Sequence, residues 1–90
     1  MGVDVQVSGS LVARTGIQRA HIAVPEEATV EDVVRQLSRL YGTQVRRALL
    51  EDGHLRSDTR SIRGQPPAEE PVSLHSEVEQ GDTLRFEPNR

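Results

Sequence analysis

The 90-residue chain has no cysteine and no lysine. Without a thiol there can be no disulfide, no thiolate nucleophile, no thioester-forming residue and no cysteine-based zinc site. All eleven basic residues are arginine. A guanidinium does not replace the lysine amine that accepts acyl and isopeptide bonds, so no lysine-linked modification is open to this chain. Aromatic residues are limited to Tyr41 and Phe86. The core must therefore be built from Val, Leu, Ile and Ala, and a small core of that kind predicts modest stability unless a partner adds to it. No apolar run approaches the length of a membrane span. The N-terminus, Met1-Gly2-Val3-Asp4, has no basic stretch leading into an apolar one, so no secretion signal is read. Gln6 stands where a myristoylation motif needs Ser or Thr. The chain reads as cytoplasmic, without membrane association.

Other functional classes are excluded by what is scarce. His21, His54 and His75 are scattered, with no close ligand spacing, so neither a metal site nor a cofactor is read. The net charge is −3. An acidic balance with almost no stacking rings argues against a nucleic-acid platform. Gly9-Ser10 is not a nucleophile elbow. No reactive pair suggests an enzyme acting alone.

The length of the chain predicts one domain over residues 1–90. Val3, Val5 and Val7 alternate with polar residues, which predicts a half-buried strand. A turn is expected at Arg14-Thr15-Gly16, followed by a second strand through Ala20, Ile22 and Val24 that Pro25 stops. The two are expected to pair as an antiparallel hairpin. The strongest signal comes next. Thr29 is a good N-cap, with Asp32 three residues on as a loose capping box. Val33, Val34, Leu37, Leu40 and Tyr41 form one apolar stripe at helical period, predicting a helix over Val30 to Tyr41. Glu31 and Arg35 are spaced to pair across a turn, and Gly42 is placed to close the helix in the left-handed conformation. Val45, Leu49 and Leu50 suggest a short second helix.

The rest is less regular. Asp52-Gly53 reads as a tight turn and Thr59 to Arg63 as a short third strand. Gln65 to Pro71, rich in proline and glutamate, reads as an exposed loop. Val72 and Leu74 suggest a short strand or an extended piece. Gln80-Gly81-Asp82 is a turn, and Thr83 to Glu87 a closing strand with Leu84 and Phe86 on one side. The arginines at positions 46, 47, 56, 60 and 63 could dock an acidic partner, but are expected to form a solvated face paired with Glu51, Asp52 and Asp58.

Hairpin, helix, irregular middle and last strand is the β-grasp order: an α+β fold with a mixed four- to five-stranded sheet on one main helix and a short second helix. The wording also resembles the MoaD/ThiS family of ubiquitin-like sulfur carriers. The resemblance rests on Val3 to Val7, Leu11, Thr15-Gly16, Val24-Pro25, Glu27-Ala28-Thr29-Val30, Val45-Arg46-Arg47-Ala48-Leu49-Leu50, Gly53-His54-Leu55-Arg56 and Gly81-Asp82-Thr83-Leu84-Arg85-Phe86-Glu87-Pro88. It departs at Ser57 to Gly64, where the family has an apolar strand, so a short or edge strand is expected there.

The family's carriers end in Gly-Gly, whose carboxylate becomes a thiocarboxylate. This sequence reads Pro88-Asn89-Arg90 and has no Gly-Gly pair at all. The resemblance therefore implies a non-catalytic protein-binding module. Its expected partner is a MoeB-like adenylating enzyme or a larger enzyme subunit. Two alternatives stand beside it: a carrier of molybdopterin or thiamin type with a different native terminus, and an accessory subunit. The candidate binding residues are Leu84, Phe86, Pro88, Asn89 and Arg90. Phe86, in a chain so poor in rings, is expected to be core first.

Overall fold

The computed structural model describes residues 1–89. The alternating valines form β1 (Gly2–Val7), with Val3, Val5 and Val7 buried and Asp4 exposed. β2 (Arg19–Ala23) pairs antiparallel with it, so that Val3 faces Ile22 and Val5 faces Ala20. The hairpin expected between them is not a plain turn. A helix, α1 (Ser10–Thr15), fills the connection. Leu11 and Thr15, one helical turn apart, both face inward. The Thr15 hydroxyl donates to the Leu11 carbonyl at 2.7 Å and accepts from the Ile17 amide at 3.1 Å. Those bonds satisfy a fully buried side chain that otherwise favours turns over helices.

α2 (Val30–Tyr41) begins where the capping residues place it. The Asp32 amide donates to Thr29 Oγ1 at 3.4 Å, and the Thr29 amide donates to Asp32 Oδ2 at 2.9 Å. Asp32, rather than Glu31, then takes the Arg35 ion pair at 3.2 Å. Carbonyls of the 73–82 loop finish the helix start: Ser76 accepts from the Val30 amide and Leu74 from the Glu31 amide. These are the donors that a helix cannot satisfy internally. Val30, Val33, Val34 and Leu37 are sealed in the core, but Leu40 is 60% and Tyr41 45% exposed. The chain reverses after the last helical turn, and α3 (Gln44–Leu49) supplies Val45, Ala48 and Leu49 to the core instead. Gly42 is not left-handed: its φ of 119° and ψ of 167° lie in a region open only to glycine. The Ser38 hydroxyl and carbonyl both bond to Gly42 there.

A ribbon of β3 (Leu50–Glu51) and β4 (His54–Leu55) turns at Asp52-Gly53. Then come β5 (Thr59–Gln65), β6 (Ala68–Val72) and β7 (Thr83–Pro88). The five-stranded sheet has the order β2-β1-β7-β5-β6, with β1 and β7 parallel and its other pairs antiparallel. The polar strand is therefore neither short nor at an edge. β5 is seven residues long, with Ser61 to Arg63 paired to both β7 and β6, and its buried inward residues are small: Thr59 opposite Pro88, and Ser61 between Phe86 and Val72. Backbone bonds to two neighbours hold it with no apolar side chain of its own in the main core. The stretch expected as a loop, Gln65 to Pro71, is exposed, but most of it is the edge strand β6. It can lie close to β5 because residue 64 is glycine: at φ 93°, a Cβ there would stand 2.4 Å from the Ala68 carbonyl oxygen. All of the buried aliphatic residues except Ile62 form one cluster with Phe86.

Candidate functional site

β7 is the strand on which the candidate residues converge. Leu84 and Phe86 are fully buried, so they brace the strand from beneath, and Arg85 and Glu87 are the side chains that reach the solvent face. Pro88 is half-buried and Asn89 exposed. The strand end is pinned: the Asn89 amide donates to the Asp58 carbonyl at 2.8 Å, and its side-chain amide to the Ser57 carbonyl at 3.3 Å. Arg90 lies outside the described residues.

On the solvent side, cross-strand neighbours form a chain of alternating charge. Arg60 pairs with Glu87 at 2.7 Å, Glu87 with Arg85 at 3.1 Å, and Arg85 with Glu69 at 2.5 Å. The hydrogen bond it donates to Glu69 raises the Arg85 guanidinium above its ordinary value. Beneath this chain sits Ile62. It faces Arg85 on one side and Pro71 on the other, is only 4% exposed, and belongs to no part of the main core. The aliphatic stems of long charged residues cover apolar surface in this way while their heads stay wet. A cleft of about 380 Å³ opens there, lined by Arg60, Ile62, Glu69, Glu70, Pro71 and Asn89. Ile62 and its cover were not among the expected site residues. Its parity with Arg60, opposite to Thr59 and Ser61, was the available signal.

The arginines expected as one cluster are split. Arg46 and Arg47 are exposed on α3. Arg56 binds Asp58 at 3.2 Å, Arg60 turns to Glu87, and Arg63 reaches Glu70 and the Glu77 carbonyl. Of the acids expected to pair with them, only Asp58 does so among the described residues. Burial would raise the Asp58 carboxyl. The Arg56 hydrogen bond, helped by Thr59 and Arg14, outweighs burial and holds it below the usual value. The hydrogen bond to Glu70 raises Arg63 in turn. His21 contacts Asp4 at 2.7 Å on the exposed face. Among the described residues no helix is long and apolar enough to cross a membrane.

No protein-family profile matches the sequence, and neither does any curated protein. Solved structures do match in fold. Small archaeal modifier protein 1 of Haloferax volcanii is similar with a TM-score of 0.82 at 20% identity, over 99% of this chain and 98% of that one. CysO of Amycolatopsis orientalis, solved in complex with BexX, is similar at 0.75 and 22%, over 98% and 96%. A molybdopterin converting factor subunit 1 of Pyrococcus furiosus is similar at 0.68 and 20%, over 99% and 98%. The chain thus has the ubiquitin-like β-grasp fold of MoaD/ThiS-type proteins along essentially its whole length.

Proposed function

We propose that this ubiquitin-like protein works by docking a protein partner on the solvent face of β7, β5 and β6, without catalysing a reaction itself. The observation that carries the reading is Ile62. A small protein that hides an isoleucine on the wrong side of its sheet, under movable arginine stems, holds apolar area that a partner can uncover and bury. Charged rims around such a centre orient a partner, while the apolar centre supplies most of the affinity. Arg85 and Glu87 form the rim along β7. Pro88 at the strand end and Asn89 just past it continue the surface, while Leu84 and Phe86 hold the strand in register. An adenylating enzyme of the MoeB kind, or a larger enzyme subunit, in the cytoplasm, is the class of partner that fits this reading.

A second reading, a sulfur carrier of the molybdopterin or thiamin type, is favoured by the whole-length fold match to the molybdopterin converting factor subunit. One experiment separates the two. The protein with its native terminus is incubated with a MoeB-type adenylating enzyme and ATP, then analysed by intact-mass spectrometry and size exclusion. A complex without covalent change supports the docking reading. An adenylate or thiocarboxylate on the protein establishes the carrier reading. If neither a complex nor a mass change appears, this partner class is wrong.

A further inference from the structure

Charge is spread unevenly over the fold. Residues 5–25 and 33–50 contain no Asp or Glu, although the chain as a whole has a net charge of −3. These two stretches hold Arg14, Arg19, Arg35, Arg39, Arg46 and Arg47, and every acid lies outside them. They build all three helices apart from the start of α2. Each helix carries arginine in its last turn: Arg14 in α1, Arg39 in α2, Arg46 and Arg47 in α3.

Packing brings those ends together. α3 lies against both α1 and α2. The Gln44 side-chain amide donates to the Tyr41 carbonyl at 2.6 Å and to the Thr15 carbonyl at 3.2 Å, so one residue ties the three helices. Arg14, Gln44, Arg47 and Ala48 line a cleft of about 240 Å³ between α1 and α3. Little neutralises this corner. Arg39, Arg46 and Arg47 are exposed and form no ion pair among the described residues, and Arg14 reaches Asp58 only at 3.9 Å. A cation complements the dipole at a helix C-terminus, which accounts for an arginine at each end. It does not account for the apolar pair beside them. Leu40 and Tyr41, directly after Arg39, are the only exposed large apolar side chains among the described residues. Tyrosine with arginine is the composition enriched at protein interfaces.

We infer that the corner formed by the ends of α1, α2 and α3 docks an acidic segment of a partner protein. Its carboxylates face Arg14, Arg39, Arg46 and Arg47, and an aliphatic side chain of the segment rests on Leu40 and Tyr41. The unpaired arginines steer such a segment in, and the apolar pair holds it once it has arrived. Two apolar side chains are too few for an anionic bilayer, where binding scales with the apolar area buried. Nucleic acid is held on successive stacking rings, and Tyr41 stands alone. The corner lies on the helix side of the sheet, whereas Ile62 lies on the solvent side, outside the main core. The two surfaces are therefore separate, and either can fail alone.

The test titrates ¹⁵N-labelled protein with the acetylated, amidated peptide Glu-Asp-Leu-Glu-Glu-Leu-Leu-Glu-Asp and follows amide shifts. Shifts are expected at Arg14 and across residues 39–48. Arg47→Glu should weaken binding about tenfold or more, and Leu40→Gln about threefold or more. Affinity should fall about tenfold between low and physiological salt. A peptide with Lys in place of its acids should not bind. Urea midpoints of both variants should stay near that of the parent, which separates docking from support of the helix ends. The inference is overturned if the variants lose stability yet keep the parent affinity, because the arginines then serve only the helix dipoles. It is overturned equally by shifts centred on Ile62 and Arg85, or by no shift up to about 1 mM peptide. Tighter binding to phosphatidylserine vesicles or to single-stranded RNA than to the peptide overturns it too, as does salt-sensitive self-association of the protein alone.

Discussion

The same strands build two different surfaces. On the helix side, Val3, Val5, Val7, Ile22, Leu84 and Phe86 are sealed in one cluster. On the solvent side, the residues between them form a charged chain from Arg60 through Glu87 and Arg85 to Glu69, over the buried Ile62. The difference is one of commitment. The inner side chains have no alternative environment to which they can move. The outer arginines are at the surface, where ion pairs contribute only about 0–1 kcal/mol each and give way readily. The inner face should therefore decide whether the protein folds, and the outer face what it does once folded.

The sharpest way to break this comparison is to truncate one residue on each face. Phe86→Ala removes the one buried ring and should cost about 3–5 kcal/mol in urea unfolding, close to the whole stability of a small domain. Ile62→Ala should cost about 2 kcal/mol, the low end for such truncations, because the arginine stems can settle into the space. The pair then diverges in function. Ile62→Ala remains folded by circular dichroism and loses partner affinity, measured by titration calorimetry. If Ile62→Ala unfolds the protein as fully as Phe86→Ala, the two faces share one core and the distinction fails.

A third substitution sharpens the boundary between them. Ser61 lies on the inner side of β5, opposite Phe86 and Val72, and its hydroxyl has no hydrogen-bond partner among the described residues. A buried polar group left unpaired costs about 1–3 kcal/mol. Ser61→Ala removes that group at almost constant volume and should raise stability by about 1 kcal/mol, read as a higher urea midpoint with unchanged slope. A loss of stability would mean that the hydroxyl is satisfied in solution.

How far these features could be read from the chain depends on their range. The helix at Val30–Tyr41 was legible because its cap and its stripe are local, with Thr29 and Asp32 three residues apart. β1 and β7 were legible from period two alone. α1 was not: one Leu and one Thr a turn apart are too few for a period, and the bonds that hold Thr15 appear only in the folded chain. β5 was underestimated because its central place comes from backbone pairing on both sides, to which side-chain polarity is blind. β6 was hidden by prolines that read as loop, although at a free edge proline is at home. For the proposed site, the sequence named β7 and the residues past it. It also named Leu84 and Phe86, which face inward, because alternation alone does not say which side a partner sees. Ile62 was missed for the same reason.

The smallest expected effect lies where the two faces meet, at Asp58. The Arg56 guanidinium holds its carboxyl below the ordinary value against the opposing effect of burial, with Thr59 and Arg14 assisting. A group whose folded pKa is depressed contributes stability above its unfolded value, near about 3.9 for Asp, and that contribution disappears as pH falls through the folded value. Asp58→Asn leaves the backbone carbonyl that receives the Asn89 amide and removes only the titrating charge. The variant should be slightly less stable than the parent across neutral pH. The gap between their urea midpoints should close as the pH is lowered past about 4. The partner surface should respond little, since Arg56 and Arg14 do not line the Ile62 cleft. A gap that stays constant into strong acid would mean that Asp58 acts through shape rather than charge. The strand end would then belong with the inner face, as part of what folds the chain.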